Sequence, residues 1–338
     1  MEVDVRGVVL SFAAAVVILV ALVWVVGIDQ VVAAFATLRP RDALLLVVVG
    51  LGWLAAWGLA LRAVLDVLDV SVGVGTAFLL YASAAFANNV TPFGQAGGEP
   101  FSALLISRAT GSEYEDGLAA IASVDAINFA PSILLSLAGL GYYAAVVAVG
   151  RSLLSVLAVV VGLALAVTAA AVAVWRYRDH VEHRTAVHVG AALQVLGRAL
   201  PRVDPPTPAT VEHKVTSFFG SIERVATSRR DLTLALTFSA AGWACMVGTL
   251  WLSLYALGFV VPLAAAMIVV PVGAIASVTP LPGGLGGVEF AIALLIIPTT
   301  GVSPATASAA ALVYRGATYW LSVVVGGVAT AYLEGRDA

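Results

Sequence analysis

Charge is scarce in this chain: 11% of its 338 residues are Asp, Glu, Lys or Arg, while 61% are hydrophobic. The mean hydropathy of +1.02 and the charge content lie far from an ordinary soluble domain, which carries about 25% charged residues. A water-exposed surface cannot be built from so little, and the chain reads as a membrane protein. Cysteine occurs once, at Cys245. That excludes an intramolecular disulfide and a cysteine metal cluster, and a lone cysteine in an apolar run reads as a small helix residue. Lysine also occurs once, at Lys214, and the net charge is −3, so no broad basic surface is present to displace counterions from a nucleic acid. Enzyme signatures are missing as well. There is no H-E-x-x-H, no P-loop, no G-x-S-x-G elbow and no acidic pair placed for metal-assisted glycosyl transfer. His180, His183, His188 and His213 all fall in one polar stretch with no partner motif for a metal. No catalytic residue, metal or cofactor is expected.

What the chain has is apolar runs long enough to cross a hydrocarbon core of about 30 Å. Candidate spans are 8–28, 43–65, 73–90, 94–109, 117–148, 152–175, 232–258, 262–280, 283–298 and 305–333. The first is too long for a signal-peptide core and reads as a retained helix. Residues 176–231 gather Arg176, Arg178, Arg184, Arg198, Arg202, Lys214, Arg224, Arg229 and Arg230, and the positive-inside rule makes that stretch cytoplasmic. Within it Val211, Val215, Phe218, Ile222 and Val225 form one helical stripe, with Thr207-Pro208 as cap and first turn. This helix suits either the lipid interface or the underside of the bundle.

Two stretches roughly 190 residues apart say nearly the same thing, and paired Gly/Pro breaks in corresponding halves point to a substrate site between inverted repeats. The first runs Thr91-Pro92-Phe93-Gly94-Gln95-Ala96-Gly97-Gly98-Glu99, the second Thr279-Pro280-Leu281-Pro282-Gly283-Gly284-Leu285-Gly286-Gly287-Val288-Glu289. A lipid-facing helix could not carry either stretch, whereas a short helix shielded by protein could. The expected fold is therefore an all-α polytopic membrane protein with about six full transmembrane helices and two re-entrant hairpins, 73–109 and 262–298. The halves are 1–175 and 232–338, joined by a cytoplasmic linker, 176–231, and both termini are expected in the cytoplasm.

Ionisable groups inside a bilayer cost several kcal/mol and mark a pathway or a pair. Glu99, Asp125, Glu289 and Arg315 qualify. Arg315 lies about eleven residues, or about 16 Å, into the last span. It must therefore meet Glu289, Glu99 or an anionic substrate. Glu99 and Glu289 open half-helices, where a carboxylate is favoured by the dipole; the same termini can also bind an anion through backbone amides. Gly97-Gly98 and Gly283-Gly284 with Gly286-Gly287 either permit close packing or line that anion site. Asn88 and Asn89 can satisfy the freed backbone or touch a headgroup. Asp125 and Asn128 share a helix face and line the cavity or bond each other or a neighbour. Tyr319 and Trp320 read as packing.

These motifs resemble the lysylphosphatidylglycerol synthase membrane-region family, also called flippase-like integral membrane proteins, along nearly the whole chain. The family's Asn, Pro, Gly-Gly-Glu pattern is met by Asn88, Asn89, Pro92, Gly97, Gly98 and Glu99. Its Pro-x-Pro-Gly-Gly-x-Gly then Glu pattern is met by Pro280, Pro282, Gly283, Gly284, Gly286 and Glu289, and its Tyr-Arg by Tyr314 and Arg315. One departure stands out: the helix after the first motif reads Ser123-Val124-Asp125-Ala126-Ile127-Asn128, without the family's usual arginine. The resemblance implies a stand-alone module moving a lipid between leaflets of the cytoplasmic membrane, with a phospholipid or polyprenyl-phosphate-linked substrate and no nucleic acid; a homodimer is compatible with it. An intramembrane enzyme or accessory subunit acting on polyprenyl phosphates, or a small-solute transporter, is the rival expectation.

Overall fold

The computed structural model describes residues 38–91, 94–146, 207–279 and 281–336, with isolated positions between 162 and 187. The span expected at 8–28, most of that at 152–175, the histidines His180, His183 and His188, and the prolines Pro92 and Pro280 lie outside the described residues. Among the described residues every regular element is helical.

Helix α1 (Pro40–Val67) starts with proline in its first turn, where the missing N–H has no intrahelical partner to lose. Helix α2 (Val74–Val90) stops at Thr91, whose hydroxyl turns back to the Ala87 carbonyl at 2.7 Å. Gly94, at φ 54°, reverses the chain into α3 (Gln95–Thr110), which ends on a left-handed Gly111. Helix α4 (Tyr114–Val146) follows. Helix α5 (Pro208–Thr227) is capped as the sequence predicts, with the Thr207 side chain accepting from the Thr210 N–H. Helix α6 (Arg229–Ala256) leads to α7 (Leu263–Ala274), which tightens into a 3₁₀ turn over Ile275–Val278. A second 3₁₀ turn, Pro282–Gly284, precedes α8 (Gly287–Thr300). Helix α9 (Pro304–Arg315) runs through a π-bulge at Gly316–Trp320 into α10 (Leu321–Arg336).

Five segments are long and apolar enough to cross a membrane: Pro40–Val67, Tyr114–Tyr143, Arg229–Ala256, Pro282–Thr300 and Pro304–Gly335. Four coincide with full spans read from the sequence. The fifth was read as half of a hairpin; it reaches span length only when its 3₁₀ turn is counted with α8, which alone rises about 21 Å at 1.5 Å per residue. The segments Val74–Val90 and Leu263–Ser277 are shorter apolar helices.

The core is a crossing of α1 and α6. Val49 lies beside Gly248, Gly52 beside Cys245, and Trp57 donates to the Ser239 carbonyl at 3.1 Å, so the two helices run antiparallel. Trp57 sits edge-on to Trp53, Tyr81 and Trp243 at centroid separations of 5.6, 5.9 and 5.7 Å, a favoured quadrupole arrangement. Around this crossing the packing is reciprocal. Helix α2 lies on α10 and α7 lies on α4; α3 lies on α4 and α8 on α9; α2 pairs with α3 and α7 with α8. Bare glycine surfaces serve both long contacts. A Cβ at Gly139 would stand 3.0 Å from Ile268, and one at Gly326 would stand 2.6 Å from the Phe86 Cβ.

Helix α5 is docked under the bundle. Its apolar stripe buries Val211 and Val225. Its polar edge is tied to the start of α4, with Lys214 on Glu115, and with Ser221 and Arg224 on Asp116 at 2.7 and 3.4 Å. Of the two sequence readings, packing against the bundle is the one this arrangement shows for that stripe.

Candidate functional site

The two breaks meet. Gly94 faces the Ser277 carbonyl, with 3.5 Å left for an added Cβ, and a Cβ at Gly284 would come within 2.9 Å of the Ser277 Cα. A Cβ at Gly283 would stand 2.8 Å from Asn89 Oδ1 and would also strike the Tyr319 ring; at φ 53° that residue occupies a conformation glycine adopts without strain. Gly98 is pressed on α2, where a Cβ would come within 2.6 Å of the Asn88 nitrogen. The Gly97 and Gly98 amides close back on the Gly94 carbonyl. Gly287 is different: its nearest neighbours would be at 3.7 Å, so its missing side chain is not demanded by packing.

Arg315 is held on three sides. Its Nε donates to Glu289 Oε1 at 2.8 Å, its Nη2 donates to the Gly283 carbonyl at 2.8 Å, and its guanidinium lies 4.4 Å over the Tyr319 ring. Glu289 is 1% exposed, and its second oxygen accepts from the Gly286 N–H at 2.6 Å. Of the two acids the sequence offered Arg315, the structure pairs it with Glu289; no ion pair to Glu99 occurs among the described residues. Glu289 also performs the capping role expected of it at the start of α8.

Glu99 does not cap. It lies beyond the first turn of α3, and its carboxyl faces Asp125 of α4. The two acids of the first half thus find each other. Asn128, one turn further along α4, turns away from Asp125: its Oδ1 accepts from Ser239 at 2.6 Å, and its backbone carbonyl accepts from Trp243 at 2.9 Å. Asn89 donates to Ser322 Oγ at 2.8 Å, and its carbonyl accepts from the Tyr319 hydroxyl at 3.2 Å. Asn89 therefore stitches the first break to the last helix, and Asn88 lies against Gly98.

Tyr319, read as packing, is buried in a small apolar cluster with Leu285, and it also makes polar contacts, with its ring under Arg315 and its hydroxyl donating to the Asn89 carbonyl. The spacing Arg315 to Tyr319, one helical turn, was the available signal. The π-bulge that aims it has no sequence mark. Ser322, which accepts from Asn89, was also missed, because the contact joins residues distant in sequence.

Buried side-chain atoms without a hydrogen-bond partner include Asn88 Oδ1, Ser83 Oγ, Ser123 Oγ, Asp125 Oδ2, Asn128 Nδ2 and Thr279 Oγ1. These six lie on helices α2 and α4 or at the second break; the other two among the described residues, Trp53 Nε1 and Arg62 Nε, lie on α1. Native interiors rarely leave such atoms unpaired without a reason.

A family model described as the lysylphosphatidylglycerol synthase TM region matches residues 8–326, and the chain belongs to that family. It is 28% identical over 335 residues to a UPF0104 membrane protein of Methanothermobacter thermautotrophicus, covering 97% of this chain and 93% of that protein. A second UPF0104 membrane protein from the same archaeon is 24% identical over 322 residues, covering 94% and 93%.

Proposed function

We propose that this chain, as a member of the lysylphosphatidylglycerol synthase TM-region family, moves a phosphate-bearing lipid or lipid-linked sugar between the leaflets of the cytoplasmic membrane. The observation that carries this reading is the contact of the two broken segments beside Arg315 and Tyr319, a third of the way along the segment Pro304–Gly335. Discontinuous helices meeting inside a bundle are the usual form of a transport site at mid-membrane. The reciprocal packing around the α1–α6 crossing supports an inverted repeat in which α2–α3 and α7–α8 are re-entrant hairpins between six full spans. In that topology both termini are cytoplasmic.

A headgroup phosphate would enter between the tips, where Thr279 Oγ1 is a donor without a partner, and would compete with Glu289 for the Arg315 guanidinium. Arginine suits that exchange because its planar fork serves carboxylate and phosphate alike. The lipid chains would remain outside, along exposed Phe290, Leu294 and Val324. No catalytic group is assigned.

The test is leaflet exchange in reconstituted vesicles, using fluorescent phosphatidylglycerol and a short-chain polyprenyl-phosphate sugar. The wild type is expected to exchange at least one of them. The double variant Glu289→Gln with Arg315→Gln removes both charges together and is expected to abolish exchange. Full exchange by the folded double variant would overturn the assignment of Arg315, and no exchange of either lipid by the wild type would overturn transport.

A further inference from the structure

We propose that Glu99 and Asp125 form a shared-proton site that couples lipid movement to a proton gradient, a coupling that rests on the transport reading above. Glu99 and Asp125 face each other between α3 and α4, and since an ionised carboxylate has only acceptors, the two can bond only when one of them holds a proton. Two carboxylates facing each other in a dry site do not both ionise. Asp125 is 9% exposed and its Oδ2 is buried without a partner. That oxygen is a free acceptor, open to a proton. No group of three or more His, Cys, Asp or Glu that could hold a metal occurs among the described residues.

Among the described residues no ion pair brings a cation to either acid. Tyr81 of α2 faces Asp125, and Tyr114 at the start of α4 faces Glu99. Helices α1 and α6 meet this part of α4 through Trp57, Ser239 and Trp243. The nearby ion pairs of Glu115 and Asp116 are spent on α5.

Access is unequal. Glu99 is partly exposed while Asp125 is buried, so a proton arriving at Glu99 can pass to the Asp125 carboxylate with no net change in the charge of the pair. Glu99 also rides on the first break: Gly98, its neighbour, is wedged on Asn88, and Gly94 touches the second break at Ser277. A headgroup that parts the tips moves one member of the acid pair relative to the other. The second half has the same arrangement with the sign changed: Glu289 precedes Arg315 by 26 residues, the interval that separates Glu99 from Asp125. One half is built to meet the anion, the other to carry its neutralising proton, which lowers the charge moved through the low-dielectric core.

The experiment uses full-length protein in vesicles with the membrane potential clamped at zero and an imposed gradient of one pH unit. The probe lipid is whichever of the two above the wild type exchanges. One proton per lipid predicts about a tenfold leaflet asymmetry, because a pH unit is a tenfold ratio in proton activity, together with lipid-dependent proton movement reported by a trapped dye. Asp125→Asn and Glu99→Gln are expected to lose both signals. Infrared difference spectra between high and low pH are expected to show a carboxylic C=O band in the wild type that both substitutions remove. Equal leaflet distributions with and without the gradient, in a wild type that exchanges lipid, would overturn the coupling and leave transport standing. A carboxylic band unchanged by both substitutions would overturn the shared proton. Absence of all exchange in the wild type would instead overturn the transport reading, and the coupling with it.

Discussion

The two halves of this membrane protein place a glutamate after a glycine-rich break and then give it opposite company. Glu289 meets Arg315, accepts a backbone N–H at its own helix start, and is closed off with every oxygen occupied. Glu99 meets Asp125 and leaves an oxygen of that acid unpartnered. The backbone arrangement alone therefore does not define the chemistry of either site; the residue 26 positions downstream does. The second half is a completed clamp that stabilises the turn at Gly283, and the first is an open acidic pair.

The clamp is where a single substitution should do most harm. Arg315→Ala leaves Glu289 ionised and uncompensated in a dry site, and removing one partner of a buried pair costs about 3–5 kcal/mol. The same change also frees the Gly283 carbonyl and the Tyr319 ring. We expect a collapse of the thermal midpoint measured in detergent, with most of it recovered when Glu289→Gln is added. A single variant as unstable as the double one would show that the clamp contributes through packing rather than charge.

Gly283→Ala comes next. It combines a left-handed backbone with a Cβ driven against Asn89 and Tyr319, and overpacking of this kind costs about 1–3 kcal/mol. Gly98→Ala tests the matching wedge in the first half through Asn88. If Gly98→Ala destabilises far more than Gly283→Ala, the first break rather than the second is the rigid one, and the comparison of clamp with open pair would need reversing.

Much of this was legible in the sequence, and the reasons are physical. Glycine and proline inside apolar runs break helices whatever surrounds them, so Thr91, Gly94, Pro282 and Gly286 marked both breaks, and an arginine deep in an apolar helix had to find an acid. Thr207 announced its cap because the bond is local. The role of Glu99 was not legible. Its position mimics Glu289, and only the fold shows that α3 carries it past capping distance and onto α4. The absence of arginine from Ser123 to Asn128 was visible, but its consequence, two carboxyls sharing one place, depends on a contact between helices. The packing of Tyr319 was legible but its contact with Arg315 was not, since the extra residue of the π-bulge changes which side chain faces that arginine.

Asp125→Asn sharpens the contrast at lower amplitude. Where Arg315→Ala strands a charge, Asp125→Asn removes one from a pair that cannot both ionise and supplies an amide donor to Glu99. The change in stability is expected to stay within about 1 kcal/mol of zero, toward stabilisation, as replacing one member of a crowded like-charge pair should. A loss as large as that of Arg315→Ala, read from the same melts, would mean that Asp125 is engaged as an ion and that the two halves are alike.

The smallest effect belongs to Gly287→Ala. Its Cβ would find its nearest neighbours at 3.7 Å in Ala276 and Thr279, and it falls in the first turn of α8, where alanine forms helix better than glycine by roughly 0.5–1 kcal/mol. The folded state should be unharmed or slightly firmer, in contrast to Gly283→Ala four residues earlier. The value of the substitution lies in what it separates. If Gly287 is bare to admit a headgroup, the added methyl obstructs lipid exchange while the melting curve holds or rises. If it is bare only by chance, exchange is unaffected as well. A fall in thermal stability would contradict the open space at this position, and with it the distinction between glycines that packing demands and the one that a ligand would demand.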